Sequence, residues 1–389
     1  MEITMSMKLE AVETTARMCA RCMKMCRHVC TTHVVTRNEA DTPNERCGTA
    51  YRAMQRGYFL PEEVPYMYEK CAVCGLCLEW CETHWDAGEV MVAARADIVD
   101  QGLAPRAAVD MNQHIVEQGN PYGQAPDERF APVAEQIQDL PDQAEVLYFL
   151  GCDTLCRQPE IAVAAMKVMK AAGVDFTVLK DGERCCGEPQ RLLGFCDAAL
   201  DTARHNVAMI ENSGAKRVVF TCPSCLKVMK VFYPEWGVSL PEGVELLHMT
   251  QFLQQLLAQG KITLSQEVGK RVTYHDSCDL GRRLEIYDAP REVIEALPGA
   301  EFVELQLNRS KSNCCGAGGG LEATNPTLVM EASKSVIGMA RDVSAEILIT
   351  ACPTCKHSFW RHTYQDDGLQ TRDIVELVAL ALGLDDAEA

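Results

Sequence analysis

The stretch Arg217-Val-Val-Phe-Thr-Cys-Pro-Ser-Cys225 decides the fold. An apolar, β-branched run stops at Cys222, and the Cys-Pro-x-Cys turn that follows brings two sulfurs together where a strand hands over to a helix. The turn recurs as Cys352-Pro-Thr-Cys355, and Cys185-Cys-Gly187 recurs as Cys314-Cys-Gly316. Cys152 follows the apolar run Val146-Leu-Tyr-Phe-Leu150, and its counterpart Cys278 follows Val272-Thr-Tyr-His275. The C-terminal half is therefore a duplication. Its tails match as well: Thr250-Gln-Phe-Leu-Gln-Gln-Leu-Leu257 and Thr371-Arg-Asp-Ile-Val-Glu-Leu-Val378 share a helical pattern.

In the first repeat, residues 146–150, 175–179 and 217–221 read as strands. Residues 160–172 and 197–213 read as helices, the former stopping at Gly173. Short strands alternating with helices predict a small α/β unit with a mainly parallel sheet, whose ligands gather beyond the strand C-termini. Cys152, Cys222, Cys278 and Cys352 stand there. Each repeat offers five cysteines: Cys152, Cys185, Cys186, Cys222 and Cys225, then Cys278, Cys314, Cys315, Cys352 and Cys355. Five exceeds the four a cubane cluster needs, so either one thiol per site is left for chemistry or the cluster is not a cubane. A thioredoxin-like dithiol at each Cys-Pro-x-Cys would leave the other three unexplained twice. Gly316-Ala-Gly-Gly-Gly320 follows a cysteine pair rather than a clean strand, so it reads as close backbone approach to a cluster, not as a dinucleotide loop.

Ahead of the repeats, Cys71-x2-Cys74-x2-Cys77-x3-Cys81 has the bacterial ferredoxin spacing. Three close thiolates wrap one side of a 4Fe–4S cubane, and the fourth of each run ligates the other cluster of a pair. The first run, Cys19-x2-Cys22-x3-Cys26-x3-Cys30, has one extra residue between its second and third cysteines. The expectation is two cubanes with exchanged fourth ligands: Cys19, Cys22, Cys26 and Cys81 for one, and Cys71, Cys74, Cys77 and Cys30 for the other. Cys47 is an alternative ligand in the irregular first run. Zinc is the competing metal for four-cysteine sites. Thr31 and Glu82 stand where such runs usually carry proline.

Twenty-one cysteines in 389 residues would mean disulfides in a small secreted chain; in a long chain of the reducing cytosol they mean metal. The balance of 37 basic and 55 acidic residues, −18, argues against nucleic acid. No segment has the 18 or more apolar residues of a membrane helix, and no secretory signal precedes the first run. The expected location is cytoplasmic, or peripheral to a membrane through a partner. The longest apolar stretch, Ile374 to Leu384, is interrupted by Glu376 and reads as an amphipathic surface helix. Arg17, Arg21, Lys24, Arg27 and Arg37 read as charge compensation for a cluster or as a docking patch for an electron donor. Cys156 and Cys196 read as core residues, and the six methionines among the first 25 residues as packing, within the chain or against a partner subunit. His275 is a candidate proton donor, a hydrogen-bond partner of sulfur, or a structural histidine.

These spacings resemble the tandem cysteine-rich (CCG) domains of the heterodisulfide reductases. Tyr274-His-Asp-Ser-Cys-Asp-Leu-Gly-Arg282 and Tyr287-Asp-Ala-Pro-Arg291 are similar to that family's second repeat. With the ferredoxin-like runs ahead, the order resembles its D-type subunit and the iron–sulfur subunits of glycolate, lactate and anaerobic glycerol-3-phosphate oxidising enzymes. Thr42-Pro-Asn-Glu-Arg46 resembles the segment between clusters in those subunits. The resemblance implies two noncubane 4Fe–4S clusters at the two five-cysteine motifs. Ser277 and Asp279 depart from the proline and histidine the family usually has there, which bears on the disulfide substrate rather than on the cluster.

The expected fold is α+β overall: a mainly helical ferredoxin-like domain (1–110), a linker or surface loop (111–145) around the turn-rich residues 119–126, and two α/β CCG domains (146–262 and 263–389). The expected function is an electron-transfer oxidoreductase subunit. It would relay electrons between a flavoprotein or ferredoxin-type partner and an acceptor through two cubanes and two noncubane clusters. The chain shows no flavin or nicotinamide motif of its own, so a partner supplies the two-electron chemistry. The alternatives are a catalytic disulfide reductase working at a noncubane cluster and a zinc-structured scaffold.

Overall fold

The structure, a computed structural model, describes residues 8–366 and 368–384; Met1, Met5 and Met7 lie outside them. Residues 8–145 form helices and turns. Helix Pro43–Arg56 shows why: Thr42 accepts the Glu45 N–H at its start, Pro43 occupies the first turn, and Gly57 closes it at φ +83°. It packs with helices Glu13–Ala20 and Ala87–Asp100 around Ala16, Ala50, Met67 and Val90. Residues 111–145 carry the end of helix Arg106–Gln118, helix Pro126–Phe130 and helix Ala134–Ile137. Between the first two, Asn120 is fully buried, its side chain donating to Gln118 and Gln124 carbonyls.

Two four-stranded parallel sheets follow. The first joins β1 (Val146–Phe149), β2 (Phe176–Thr177), β3 (Arg217–Phe220) and β4 (Glu245–His248) in the order β2-β1-β3-β4. The second joins β5 (Arg271–His275), β6 (Glu301–Phe302), β7 (Ile347–Thr350) and β8 (Gln370–Asp373) in the order β6-β5-β7-β8. The α+β reading and the duplication hold strand for strand, although β2 is two residues rather than the expected five. Strands in such sheets are covered on both faces, which is why they read as continuous apolar runs.

Two expectations about the tails change. Thr371–Asp373 belongs to β8, so the true equivalents are His248 and Asp373, each ending its sheet's last strand and capping the next helix. Helix Ile374–Ala381 is not a surface helix: Ile374, Val375, Val378 and Ala379 are buried, and it packs on helix Pro159–Ala171 of the first repeat. Glu376, which looked like a polar interruption, closes the capping box on the Asp373 N–H and pairs with Lys356 at 2.8 Å. One continuous core thus runs through both repeats, from Tyr148 and Met166 to Tyr274 and Val375.

Arg95 ties the three domains together. Fully buried, it donates to the carbonyls of Met67 (3.0 Å) and Cys71 (3.0 Å) in the helical domain, Leu192 (2.8 Å) in the first repeat and Gly319 (2.8 Å) in the second. Gly194, at φ +92°, lets the first repeat approach the Arg95 backbone, where an added Cβ would meet the Arg95 carbonyl oxygen at 2.5 Å.

Arg95→Met should lower the unfolding free energy by about 3 kcal/mol, because it leaves several buried carbonyls without their charged donor; anaerobic denaturant titration measures this. Burial, with Glu376 beside it, pushes the Asp373 carboxyl up to about 8. The folded state then holds a proton that an unfolded aspartate releases near pH 4, so this group's stabilisation is lost as pH rises towards 8. Asp373→Asn should therefore gain stability relative to the parent between pH 6 and pH 8, read as a widening difference in denaturation midpoints.

Candidate iron–sulfur sites

The segment 42–46 clamps both cysteine runs. The Asn44 amide donates to the carbonyls of Cys19 (2.6 Å) and Cys22 (3.2 Å). The Arg46 guanidinium donates to the Asp41 and Lys70 carbonyls and, at 3.1 Å, to the Cys30 sulfur. Cys30, Cys71, Cys74 and Cys77 line one pocket with Arg46, Gly75 and Gly88. Backbone N–H groups reach toward sulfurs as well: Val73 to Cys71 at 3.4 Å and Trp85 to Cys81 at 3.4 Å.

The first run is arranged differently. Cys22 is exposed, and Cys26, pushed up to about 12 by burial, lies near Cys19, Cys30 and Cys22. The contacts of Cys81 are with the Thr83 hydroxyl (3.3 Å) and the Trp85 N–H. The thiol that acts most strongly on Cys19, holding it below the usual range, is that of Cys47, fully buried in helix Pro43–Arg56. Lys24 and Arg27 pair with Glu39, while Arg21 and Arg37 stay exposed, as do Met18, Met23 and Met25. Those three methionines therefore do not pack inside the chain.

In each repeat the five motif thiols converge beyond the strand ends, where the parallel sheet places them. Cys152 and Cys185 sulfurs lie 3.8 Å apart, and Cys315 and Cys355 3.3 Å apart. The second thiol of each vicinal pair is held well below the usual range. For Cys186 the causes are hydrogen bonds from Cys185 and then Cys225; for Cys315 they are those from Cys314 and then Cys355. Cys156 and Cys196 are half-buried beside these cores, Cys196 facing the Gly194 carbonyl at 3.6 Å.

The two repeats face each other across a cavity of about 140 Å³. Cys152, Cys186, Cys222 and Cys225 line one wall, and Cys278, Cys315, Cys352 and Cys355 the other. Polar contacts span it. Asp279 accepts from Ser224 (2.6 Å) and Lys227 (2.8 Å) of the first repeat. Lys227 also pairs with Glu188 at 2.6 Å. At the rim, Asp153 accepts from Tyr122 and from Thr354, and Arg157 pairs with Glu322. Tyr122 lies in the turn-rich segment expected to be a linker or surface loop, and it serves as a wall of the cavity.

His275 is fully buried against the Phe359 ring, at 4.8 Å and edge-on. Its Nε2 faces the Asn313 carbonyl at 2.9 Å; a carbonyl only accepts, so the proton sits on Nε2, and buried Nδ1 has no donor. Burial lowers its pKa, and that neutral form suits packing better than proton delivery.

The glycine loop 316–320 lines the thiol cavity and lies against the backbone of the Cys71–Cys77 run. A Cβ at Gly318 would meet the Ala72 carbonyl oxygen at 2.5 Å, and one at Gly319 the Cys71 carbonyl oxygen at 2.4 Å. The second repeat thus touches the ferredoxin-like loop directly, and Cys74 packs against the buried cluster that contains Cys314, whose thiol holds Cys74 below the usual range. Sequence reasoning missed this contact, whereas it had named Cys47 as an alternative ligand beside Cys19 in the first run.

The donor sets fit sulfur-rich anionic clusters. All 21 cysteines are free thiols. A buried Arg282 guanidinium nitrogen is left without a partner beside the thiols.

Thiols gathered at the strand ends of two duplicated parallel sheets, behind a helical ferredoxin-like domain, define an iron–sulfur oxidoreductase component. Residues 146–230 and 272–359 match the family described as "Cysteine-rich domain". The chain is 36% identical over 321 residues to the D-type subunit of the dihydromethanophenazine:CoB–CoM heterodisulfide reductase of Methanosarcina barkeri, an alignment covering 81% of this chain and 78% of that protein. It is 30% identical over 335 residues to the probable iron–sulfur-binding oxidoreductase FadF of Bacillus subtilis, covering 81% of this chain and 46% of that one. A hypothetical protein of Helicobacter pylori has the same fold, with a TM-score of 0.58 at 10% identity over 89% of this chain and 69% of that one. The chain belongs to the family of D-type heterodisulfide reductase subunits.

Gly319→Ala combines a positive φ of 64° with a collision against the Cys71 backbone. It should cost about 1–3 kcal/mol of stability or more, and it should loosen iron from both the Cys71–Cys77 pocket and the second repeat, read by metal analysis after anaerobic gel filtration.

Proposed function

We propose that this protein relays electrons between a flavoprotein or ferredoxin-type partner and an acceptor through four iron–sulfur clusters. In this reading Cys30, Cys71, Cys74 and Cys77 hold one cubane. Cys19, Cys22 and Cys26 hold the other with Cys81, or with Cys47, which the Cys19 contact favours. The two five-cysteine sets hold noncubane 4Fe–4S clusters. The observation that carries the reading is the run of contacts from the Cys30–Cys77 pocket, through Cys74 and Cys314, to the cavity where both repeats' thiols face each other. When bound, the clusters supply one-electron carriers. The chain holds their thiolates, buries them, and sets arginines and backbone N–H groups against their negative charge. No described helix is long and apolar enough to cross a membrane; we place the protein in the cytoplasm or on a membrane-bound partner.

A second reading has one specific support. The cavity is bounded by thiols of both repeats, and the relative from M. barkeri is named for a heterodisulfide. A disulfide admitted there would take up two electrons relayed one at a time from the redox partner, and two protons, and leave as two thiols. Reduction of a heterodisulfide by the isolated protein with an artificial donor would favour this reading.

Anaerobic iron and sulfide analysis with EPR tests the relay. About sixteen irons, four per cluster, are expected. About eight would remove the clusters of the repeats, and a colourless protein holding stoichiometric zinc would replace the relay with a structural scaffold.

A further inference from the structure

The two repeats share one topology yet differ in how they meet the ferredoxin-like domain. Cys314 of the second repeat packs with Cys74, Ala72 and Cys278 in one buried cluster. Its equivalent in the first repeat, Cys185, donates its N–H to the Gly119 carbonyl at 2.6 Å and shares its sulfur contact with Cys152. Between Cys74 and the second repeat lies Arg282. A wide helical turn over Asp279–Arg283, closed by Arg283 N–H to the Cys278 carbonyl at 3.2 Å, carries it there. Its Nε donates to the Cys74 carbonyl at 2.9 Å, and Nη1 donates to the Ser310 (3.2 Å) and Ser312 (2.5 Å) carbonyls. Nη2 is buried without a partner. The charges acting on this guanidinium, after burial itself, are those of Cys74, Cys278 and Cys314. Its fixed ligands are all carbonyls, so its charge is uncompensated until something anionic occupies the neighbouring thiols.

We propose that Arg282 is the positioning residue that couples the Cys30–Cys71–Cys74–Cys77 cluster to the cluster of the second repeat, so that electrons reach the pair of repeats through the second repeat and cross the cavity to the first. The inference rests on the cluster assignment above. In the step, one electron supplied by the partner leaves the ferredoxin-like cluster, which is oxidised by one unit. It arrives at the second-repeat cluster, which is reduced by one. Arginine keeps its proton throughout. In a buried site a fixed cation favours the more negative, reduced state of whichever cluster it faces, and hydrogen bonds to cluster sulfur act in the same direction. The first repeat lacks this arginine: Arg282 follows Cys278 by four residues, and the residue four after Cys152 is Cys156, half-buried against the shared core.

The test uses the full iron-loaded chain, with EPR-monitored redox titration of the parent, Arg282→Gln and Arg282→Lys. The glutamine variant should keep about sixteen irons and show a lowered midpoint potential for the second-repeat cluster, by at least the 59 mV that corresponds to a tenfold change in a one-electron equilibrium. The lysine variant should recover most of that shift. Unchanged potentials in a fully loaded glutamine variant, or an equal shift in both variants, overturn the role of the charge. A second arm tests the route without touching Arg282. Cys225→Ser in the first repeat should leave the second-repeat signal reducible through the ferredoxin-like pair, whereas Cys355→Ser should strand the first-repeat cluster in its oxidised state. The reverse dependence overturns the order of transfer even if the arginine variants fail to load. An iron count of about eight in the parent would instead sink the cluster assignment itself.

Discussion

A buried guanidinium with no carboxylate partner holds this molecule in register. Arg95 bonds to main-chain carbonyls from the helical domain and both repeats. A buried cation satisfied by carbonyls keeps its charge, whereas one paired with a carboxylate would be neutralised. That charge stays useful, because one carbonyl belongs to Cys71, and Arg95 is among the groups that counter the effect of burial on the Cys71 thiol. Arg46 and Arg282 repeat the pattern, reaching the Cys30 sulfur and the Cys74 carbonyl. In a chain of net charge −18, three arginines, Arg46 and Arg95 of them buried, bond to groups of the thiol pocket that touches both the first cysteine run and the second repeat. The same groups that join the domains thus set the electrostatics between their sites.

Duplication supplied two copies of a thiol-bearing sheet, and their divergence follows from what each must touch. After Cys185-Cys186-Gly187 the first repeat continues into helix Glu188–Leu193, where Glu188 meets Arg191 and Lys227. After Cys314-Cys315-Gly316 the second repeat continues in glycines. Its backbone lies so near Cys71 and Ala72 that side chains would collide. The same split appears at the ends of the last strands, where a buried histidine caps one helix and a buried aspartate the other. His248 is pushed down to about 4 by its burial while Asp373 is pushed up, so both are neutral in the fold near neutral pH.

Local signals carried much of this into the sequence. Apolar runs of strand length, the glycine after helix Pro159–Ala171 and the Cys-Pro-x-Cys turns depend on neighbours a few residues away, and the sheets and the cysteine positions beyond β1, β3, β5 and β7 were legible from them. What stayed hidden depends on contacts across the chain. The irregular first run made Cys47 a candidate ligand, but nothing nearby says that Cys19 is the thiol it lies against. Helix Ile374–Ala381 resembles a surface helix until helix Pro159–Ala171 covers it. The glycine loop signals a close approach without naming what approaches. Tyr122 sits in a segment with every mark of a turn, and its hydrogen bond to Asp153 is purely tertiary.

The cavity between the repeats follows the same economy. Lys227 is shared by Glu188 and Asp279, and Arg157 by Asp153 and Glu322; two of these four pairs, Lys227–Asp279 and Arg157–Glu322, cross from one repeat to the other. Their side chains are largely buried, so each ion is stabilised by its partner rather than by water, and withdrawing one partner would strand a charge at a cost of about 3–5 kcal/mol. A charged ligand could therefore gain a counter-ion in the cavity only by breaking the contacts that fix the distance between its walls. The aspartate at position 279 is decisive in this arrangement: a neutral imidazole there could accept one hydrogen bond, whereas the carboxylate accepts from Ser224 and Lys227 together and locks the second repeat onto the first. The ion pairs hold the walls, and the thiols on those walls face a space whose width they do not themselves set.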